Sequence, residues 1–245
     1  MSADYSEQEL AKMSIIEHLA ELRDRLIKSV LALLAGTAIS LAFTPRFLEF
    51  LIAPMGDRQP ISLKPTETII IYFKVALICG VVLAMPVIIY QMLRFILPGL
   101  TEVEKKYLKI IVPGATLLFA GGVAFATFVM LPFTIRYLQS FLADIIQPTY
   151  SIDYYISFVT TLMFWVGVIF ETPLIIAFLA RIGIISPQML SRNRKYAIVL
   201  LAILAAVITP TPDPVNMMLV MAPLVILFEV GVILARLVYR PRTTT

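Results

Sequence analysis

The 245-residue chain predicts an all-α integral membrane protein: one domain, residues 1–245, of six kinked transmembrane helices in a concave bundle, with both termini in the cytoplasm. Three observations carry that prediction: an apolar composition, six apolar segments, and basic residues gathered on one side of them. Apolar residues make up 60% and charged residues 15%, with a mean hydropathy of +0.91. A soluble domain has roughly 45–50% and 25%. Each crossing takes about 20 residues plus a connection, so the length suits a single bundle.

The spans read as Leu26–Thr44, Thr68–Leu97, Leu108–Leu131, Tyr155–Ile182, Tyr196–Thr209 and Val215–Leu237. Residues 1–25 lack the basic start and apolar core of a secretory signal, and carry Asp4, Glu7, Glu9, Glu17, Glu21 and Asp24. They are expected to stay as a cytoplasmic amphipathic segment. Ile15, Ile16, Leu19, Leu22 and Leu26 recur there at helical spacing, and Ser14-x-x-Glu17 reads as a capping box that starts the helix. Spans two, three and four are long enough to tilt or to project into water. Span five has only about 14 apolar residues, so it must pack inside the bundle, thin the bilayer or rely on snorkelling flanks. The proline-dense turn Thr209–Pro214 predicts a tight hairpin between spans five and six, and residues 238–245 form a cytoplasmic tail. Pro86, Pro113, Pro132, Pro173 and Pro223 lie in or near spans. Each removes a backbone donor and is expected to bend its helix, which favours a concave assembly.

Orientation follows from the lysines and arginines. With the amino terminus inside, fifteen of them fall on inner segments and five (Arg46, Arg58, Lys64, Lys74 and Arg136) on outer ones. The opposite topology inverts that bias.

The chemistry on offer is narrow. Cys79 and His18 are each the sole residue of their type, which excludes an intrachain disulfide, a Cys-based metal cage, a redox pair and a multi-imidazole metal site. Metalloprotease motifs, phosphate loops and nucleophile elbows are missing, and the basic residues lack interleaved aromatics. No catalytic residue, metal, cofactor or nucleic-acid partner is therefore expected.

Four acids require an account. Glu21 is i,i+4 from Arg25, an ordinary helix pair. Glu104 completes a capping box with Thr101 between spans two and three. The alternative is that both lie on cytoplasmic segments that converge, where each carboxylate accepts a guanidinium from a ligand with adjacent arginines. Glu171 stands midway along span four, and a carboxyl there is a functional candidate by default, charged or neutral. Its structural alternative is hydrogen bonding near Pro173. Glu229, in span six, lies near Arg236.

At these residues the sequence resembles the TatC family, a subunit of the twin-arginine translocase. The matching stretches are His18-Leu-x-Glu21-Leu-Arg23-x-Arg25, Ala53-Pro54, Pro86-Val-Ile-Ile-Tyr90-Gln91, Phe95-Ile-x-Pro98-Gly-Leu-x-x-x-Glu104, Phe170-Glu171-x-Pro173, Thr209-Pro210 with Asp213, and Leu227-Phe228-Glu229-x-Gly231. Each is weak alone; in order from residue 18 to about 236 they are specific. The resemblance implies a receptor for the twin-arginine signal peptides of folded precursors in the inner membrane, powered by the proton-motive force. It implies self-association, contact with lipid, and single-span partners of the TatA and TatB type. Glu21 and Glu104 match the acids that receive the arginine pair, with Arg23 and Phe95 beside them. Glu171 matches an acid facing the concave interior. Thr209, Asp213, Glu229 and Pro54 match the edge where the single-span partners dock. The rival reading is a proton- or ion-coupled secondary transporter with Glu171 as its coupling site.

Overall fold

The computed structural model describes the backbone of residues 2–56, 58–96, 102–145, 149–209 and 213–239, and the side chains of these apart from 2–15, 96 and 102–110. It is all-helical: α1 Ser2–Leu41, α2 Thr44–Ile52, α3 Glu67–Ile96, α4 Glu102–Phe125, α5 Leu131–Ser140, α6 Ile152–Phe170, α7 Thr172–Arg181, α8 Pro187–Arg192, α9 Arg194–Ile208 and α10 Pro214–Val238. A 3-10 turn, Ala53–Met55, follows α2, and a π segment, Ala126–Met130, joins α4 to α5. Among the described residues, β pairing is limited to an isolated bridge between Ile61 and Ser151.

Four stretches in the described residues are long and apolar enough to cross a membrane: 67–95, 111–140, 152–181 and 214–238. A fifth counts if α1 from Ile16 and the segment Thr44–Met55 are taken together, although they meet at a 77° bend. The bend has a local cause. Pro45 sits in the first turn of α2 with no N–H to continue the ladder, and Thr44 Oγ1 donates back to Ser40 O at 2.9 Å. The segment expected as span five is the 15-residue α9, the shortest of the six.

Two expectations need correction. Helix α1 runs unbroken from Ser2, so Ser14-x-x-Glu17 lies inside the helix and does not start it. The favourable formers Ala, Leu, Glu and Lys of residues 7–22 extend it backwards. The third span does not stop at Leu131 but continues to Ser140. Pro132 has no N–H and would clash with the carbonyl four residues back, so the chain takes the wider π spacing first and resumes as α5. The prolines also differ in effect: α3, α4 and α10 run through Pro86, Pro113 and Pro223 without interruption, whereas the break before α7 falls at Glu171, two residues ahead of Pro173.

Packing relies on close backbone approach, as expected where lipid supplies no hydrophobic contrast. Helix α1 crosses α3 at Gly36 and Gly80, α4 crosses α6 at Gly122 and Gly167, and α10 meets α7 at Gly231. The main core runs through Leu51, Ile71, Val75, Met130, Ile156 and Val159, and on to Leu224 and Val232. Helix α10 packs chiefly on α7 and less on α9. The hairpin expected between spans five and six is thus real but secondary, and Pro210–Pro212 at its tip lie outside the described residues.

One end of the bundle is tied by hydrogen bonds. Tyr155 Oη donates to Leu51 O at 2.6 Å, Gln139 Nε2 to Met55 O at 3.2 Å, and Lys74 Nζ to Asp153 Oδ1 at 2.7 Å. Glu67 is buried where α3 begins, and its Oε2 accepts from Leu63 N and Ser62 Oγ. The buried Tyr155 hydroxyl satisfies the carbonyl of Leu51, itself buried at the end of α2. Tyr155→Phe is therefore expected to destabilise by about 1–3 kcal/mol, measured by thermal unfolding in detergent.

Candidate functional site

At the opposite end, the start of α1 meets the end of α3. Arg25 Nη2 pairs with Glu21 Oε1 at 3.0 Å across one helical turn, and its Nη1 donates to Gln91 Oε1 on α3 at 3.2 Å. The Arg25 side chain is only 15% exposed and Glu21 32%, so this is a half-buried network and not a surface pair. One turn earlier, the His18 ring stacks on Phe95, with centroids 4.5 Å apart and planes 16° from parallel. Arg94 Nη1 donates to Tyr90 Oη at 2.9 Å on the outer side of the same turn of α3. Helix geometry sets this arrangement. His18, Glu21 and Arg25 recur at spacings of three and four on α1, and Gln91 and Phe95 at four on α3, so each set shares one face. Gln91 Oε1 accepts from the second terminal nitrogen of this guanidinium, while Arg25 Nε is buried without a hydrogen-bond partner among the described residues.

The structure thus brings Glu21 and Phe95 to one patch. Arg23 points elsewhere: it pairs with Asp24 at 3.1 Å, and both are well exposed. The start of α4 belongs to this end, because Ile111, Val112 and Ala115 pack with Ile89 and Leu93 of α3 and with Leu174 and Phe178 of α7. Glu104 lies in the first turn of α4, but its side chain is outside the described residues, as is Thr101. Arg25 and Gln91 join the site only in the folded chain, since the sequence leaves open whether Gln91, like Tyr90, contacts a ligand or merely packs. Arg25 reads in sequence as a routine i,i+4 partner. The signal for Gln91 was a lone amide in the apolar run of α3.

Glu171 occupies the single-residue break between α6 and α7. The backbone of Phe119 lies beside its carboxyl, and Oε1 is buried without a hydrogen-bond partner in the described residues. Span four is therefore broken at Glu171, two residues ahead of Pro173, and the alternative of hydrogen bonding near Pro173 finds no partner for Oε1 among the described residues.

The other four positions do not gather in one place. Thr209 is buried and its hydroxyl donates to Ala205 O at 2.6 Å. Asp213 caps α10, accepting from Asn216 N and Nδ2 at 2.8 Å each. Glu229 lies sixteen residues further on, about 24 Å along the helix. It pairs with Arg194 of α9 at 2.6 Å, not with Arg236, whose guanidinium reaches Ser191 across to α8. Pro54 sits in the 3-10 turn Ala53–Met55.

A groove of about 450 Å³ opens between the end of α1, α2, α3 and α4. Its walls are almost wholly apolar, with Phe43, Phe47, Val75, Val123 and Phe128 among them, and Thr127 of the π segment on one side. The Thr127 hydroxyl donates back to Val123 O, whereas the buried Ser40 hydroxyl in the same wall has no hydrogen-bond partner among the described residues.

Fold and site together define a multi-span helical membrane protein with a half-buried charged patch at one end. A family model described as Sec-independent protein translocase protein (TatC) matches residues 17–223. The TatC protein of Aquifex aeolicus is 38% identical, with the match covering 94% of this chain and 98% of that one. That of Carboxydothermus hydrogenoformans is 36% identical over 92% and 94% of the two chains. The chloroplastic protein of Arabidopsis thaliana is 36% identical over 94% of this chain and 68% of its own length. A solved structure described as the twin arginine translocase receptor TatC superposes with a TM-score of 0.80 at 38% identity, covering 91% of this chain and all of that one. The chain belongs to the TatC family of Sec-independent protein translocase proteins, a family of translocase components and not of catalysts.

Proposed function

We propose that the chain is the signal-peptide receptor of a twin-arginine translocase, with six spans and both termini in the cytoplasm of an inner-membrane system. The observation that carries this reading is the network of Glu21, Arg25 and Gln91 beside the His18–Phe95 stack. It is a carboxylate already holding a guanidinium in a half-buried, specific geometry. One arginine of the signal takes the place of Arg25 on Glu21, the other docks on Glu104, and the apolar part of the signal lies against the groove between α1, α3 and α4. Export driven by the proton-motive force, copies that self-associate, and TatA- and TatB-type partners docking near Glu171, Thr209, Asp213, Glu229 and Pro54 follow from the family resemblance. Lipid surrounds the remaining apolar faces.

The test is signal-peptide binding to the protein in nanodiscs, comparing Arg-Arg with Lys-Lys peptides on wild type, Glu21→Ala and Glu104→Ala. The arginine form is expected to bind at least about tenfold more tightly, the worth of one good charge-assisted contact, with both substitutions erasing the difference. Equal binding, unchanged by either substitution, returns the two glutamates to helix pairing and capping. The unpartnered Oε1 of Glu171 is what favours the transporter reading. Substrate-dependent proton flux in vesicles holding only this protein would support that alternative.

A further inference from the structure

A second charged region lies at the end of the bundle where α7 and α10 stop and α9 begins. Arg181 Nη1 reaches Val238 O at 3.4 Å, Arg194 holds Glu229 at 2.6 Å, and Arg236 Nη2 donates to Ser191 Oγ at 3.1 Å, so these ends share one level. Between α8 and α10 runs an open groove of about 470 Å³ lined by Pro187, Gln188, Ser191, Arg236 and Tyr239. Arg181, Arg192, Arg194, Lys195 and Arg236 lie at this level, with Arg240 and Arg242 following in sequence. The only acidic residues beyond Glu171 are Asp213, which caps the far end of α10, and Glu229, which already pairs with Arg194. The groove therefore offers the exposed Arg236 guanidinium, which donates to the neutral Ser191 hydroxyl, beside the polar groups of Gln188 and Tyr239.

We propose that this groove binds the phosphodiester headgroup of an anionic phospholipid. Arg236 and Ser191 hold the phosphate oxygens, and Gln188 and Tyr239 border the polar head. The adjoining helix surface identifies the ligand as lipid. Ile226, Val230, Ile233 and Leu237 form an exposed apolar stripe at spacings of three and four along α10, ending beside Arg236. An acyl chain lying on that stripe brings its phosphate to the guanidinium. Tyr239 at the helix end and Tyr196, 65% exposed on α9, are placed as interfacial aromatics. Basic pockets between helix ends are suited to such headgroups. This proposal goes beyond the receptor reading and does not depend on Glu21 or Glu104.

Lipid binding to the detergent-purified full chain, followed by native mass spectrometry, tests it. Phosphatidylglycerol is to be compared with phosphatidylcholine on wild type, Arg236→Gln and, as a control at another basic position, Arg46→Gln. Arg236→Gln is expected to lower phosphatidylglycerol occupancy about fivefold, the effect of one basic residue at a membrane surface, and to leave phosphatidylcholine unchanged. Arg46→Gln is expected to change neither lipid. Equal phosphatidylglycerol binding by wild type and Arg236→Gln overturns the proposal, as does an equal loss with Arg46→Gln. Thermal-shift measurements with inorganic phosphate and with poly-glutamate separate the other sources of negative charge. Protection by either one matching that of phosphatidylglycerol would reassign the groove to a free anion or to an acidic protein segment. Arg236 is exposed, so Arg236→Gln should unfold at the wild-type temperature in neutral detergent; a large drop there would make its contact structural and remove the basis of the proposal.

Discussion

Gly80→Ala is expected to destabilise the protein by about 3 kcal/mol or more and to lower its level in the membrane, although only a methyl group is added. A Cβ on Gly80 would lie 2.4 Å from Thr37 Oγ1, 2.6 Å from Thr37 N and 2.7 Å from Thr37 Cα. Two of those three atoms are backbone, so a rotamer change in Thr37 does not relieve the clash. The helices must separate. The reciprocal position is equally tight, since a Cβ on Gly36 would stand 2.7 Å from the carbonyl oxygen of Gly80. Separation at this crossing also pulls α1 from α3 at the network of Glu21, Arg25 and Gln91, so receptor binding should fall with stability. Gly121→Ala is the matched control. Its Cβ meets nothing within 4 Å, and alanine in a helix interior is favoured over glycine by about 1 kcal/mol. Thermal unfolding in detergent, read beside membrane levels, checks both. Equal behaviour of the two alanine variants would show that α1 and α3 do not pack through their backbones.

The second large effect concerns α4 and α6. Phe119 is 1% exposed, and its ring fills the notch left by the missing side chain of Gly167. A Cβ at Gly167 would be 2.7 Å from Phe119 Cε2 and 3.0 Å from Cζ. Phe119→Ala is expected to cost about 3–5 kcal/mol through lost burial and the cavity left behind. Gly167→Leu is expected to cost about 1–3 kcal/mol through overpacking. In the double variant the leucine side chain enters the space the ring vacated. Its destabilisation should therefore fall short of the sum of the two single changes by more than about 1 kcal/mol. Simple additivity would mean that the two residues do not interlock. The pair matters beyond stability, because the backbone of Phe119 lies beside the Glu171 carboxyl.

Both crossings show where sequence reading stops. The glycines are visible as residue types, and small residues are common at contacts between membrane helices. Nothing in the order of residues indicates that Gly80 faces Thr37, or that Gly167 receives a ring from Phe119. Those pairings connect residues forty or more positions apart. The same limit applies to the site. Glu21 and Phe95 are legible from the motifs that carry the family resemblance, but the Arg25 bridge to Gln91 depends on how α1 lies against α3. Arg23 shares its motif with Glu21 and still turns to solvent, because it stands on another face of the helix.

Composition and periodicity alone determined that this chain is helical and apolar, and roughly where four of the six apolar segments begin and end. Hydrophobic burial depends on residue type and on spacing within one segment, and both are local quantities. Only the folded chain settled three further matters: the bend between α1 and α2, the π segment ahead of Pro132, and the separation of Glu229 from Thr209 and Asp213 along α10. Each depends on backbone donors, close approach or charge pairs whose partners come from distant parts of the chain, and such pairings exist only after the helices have packed.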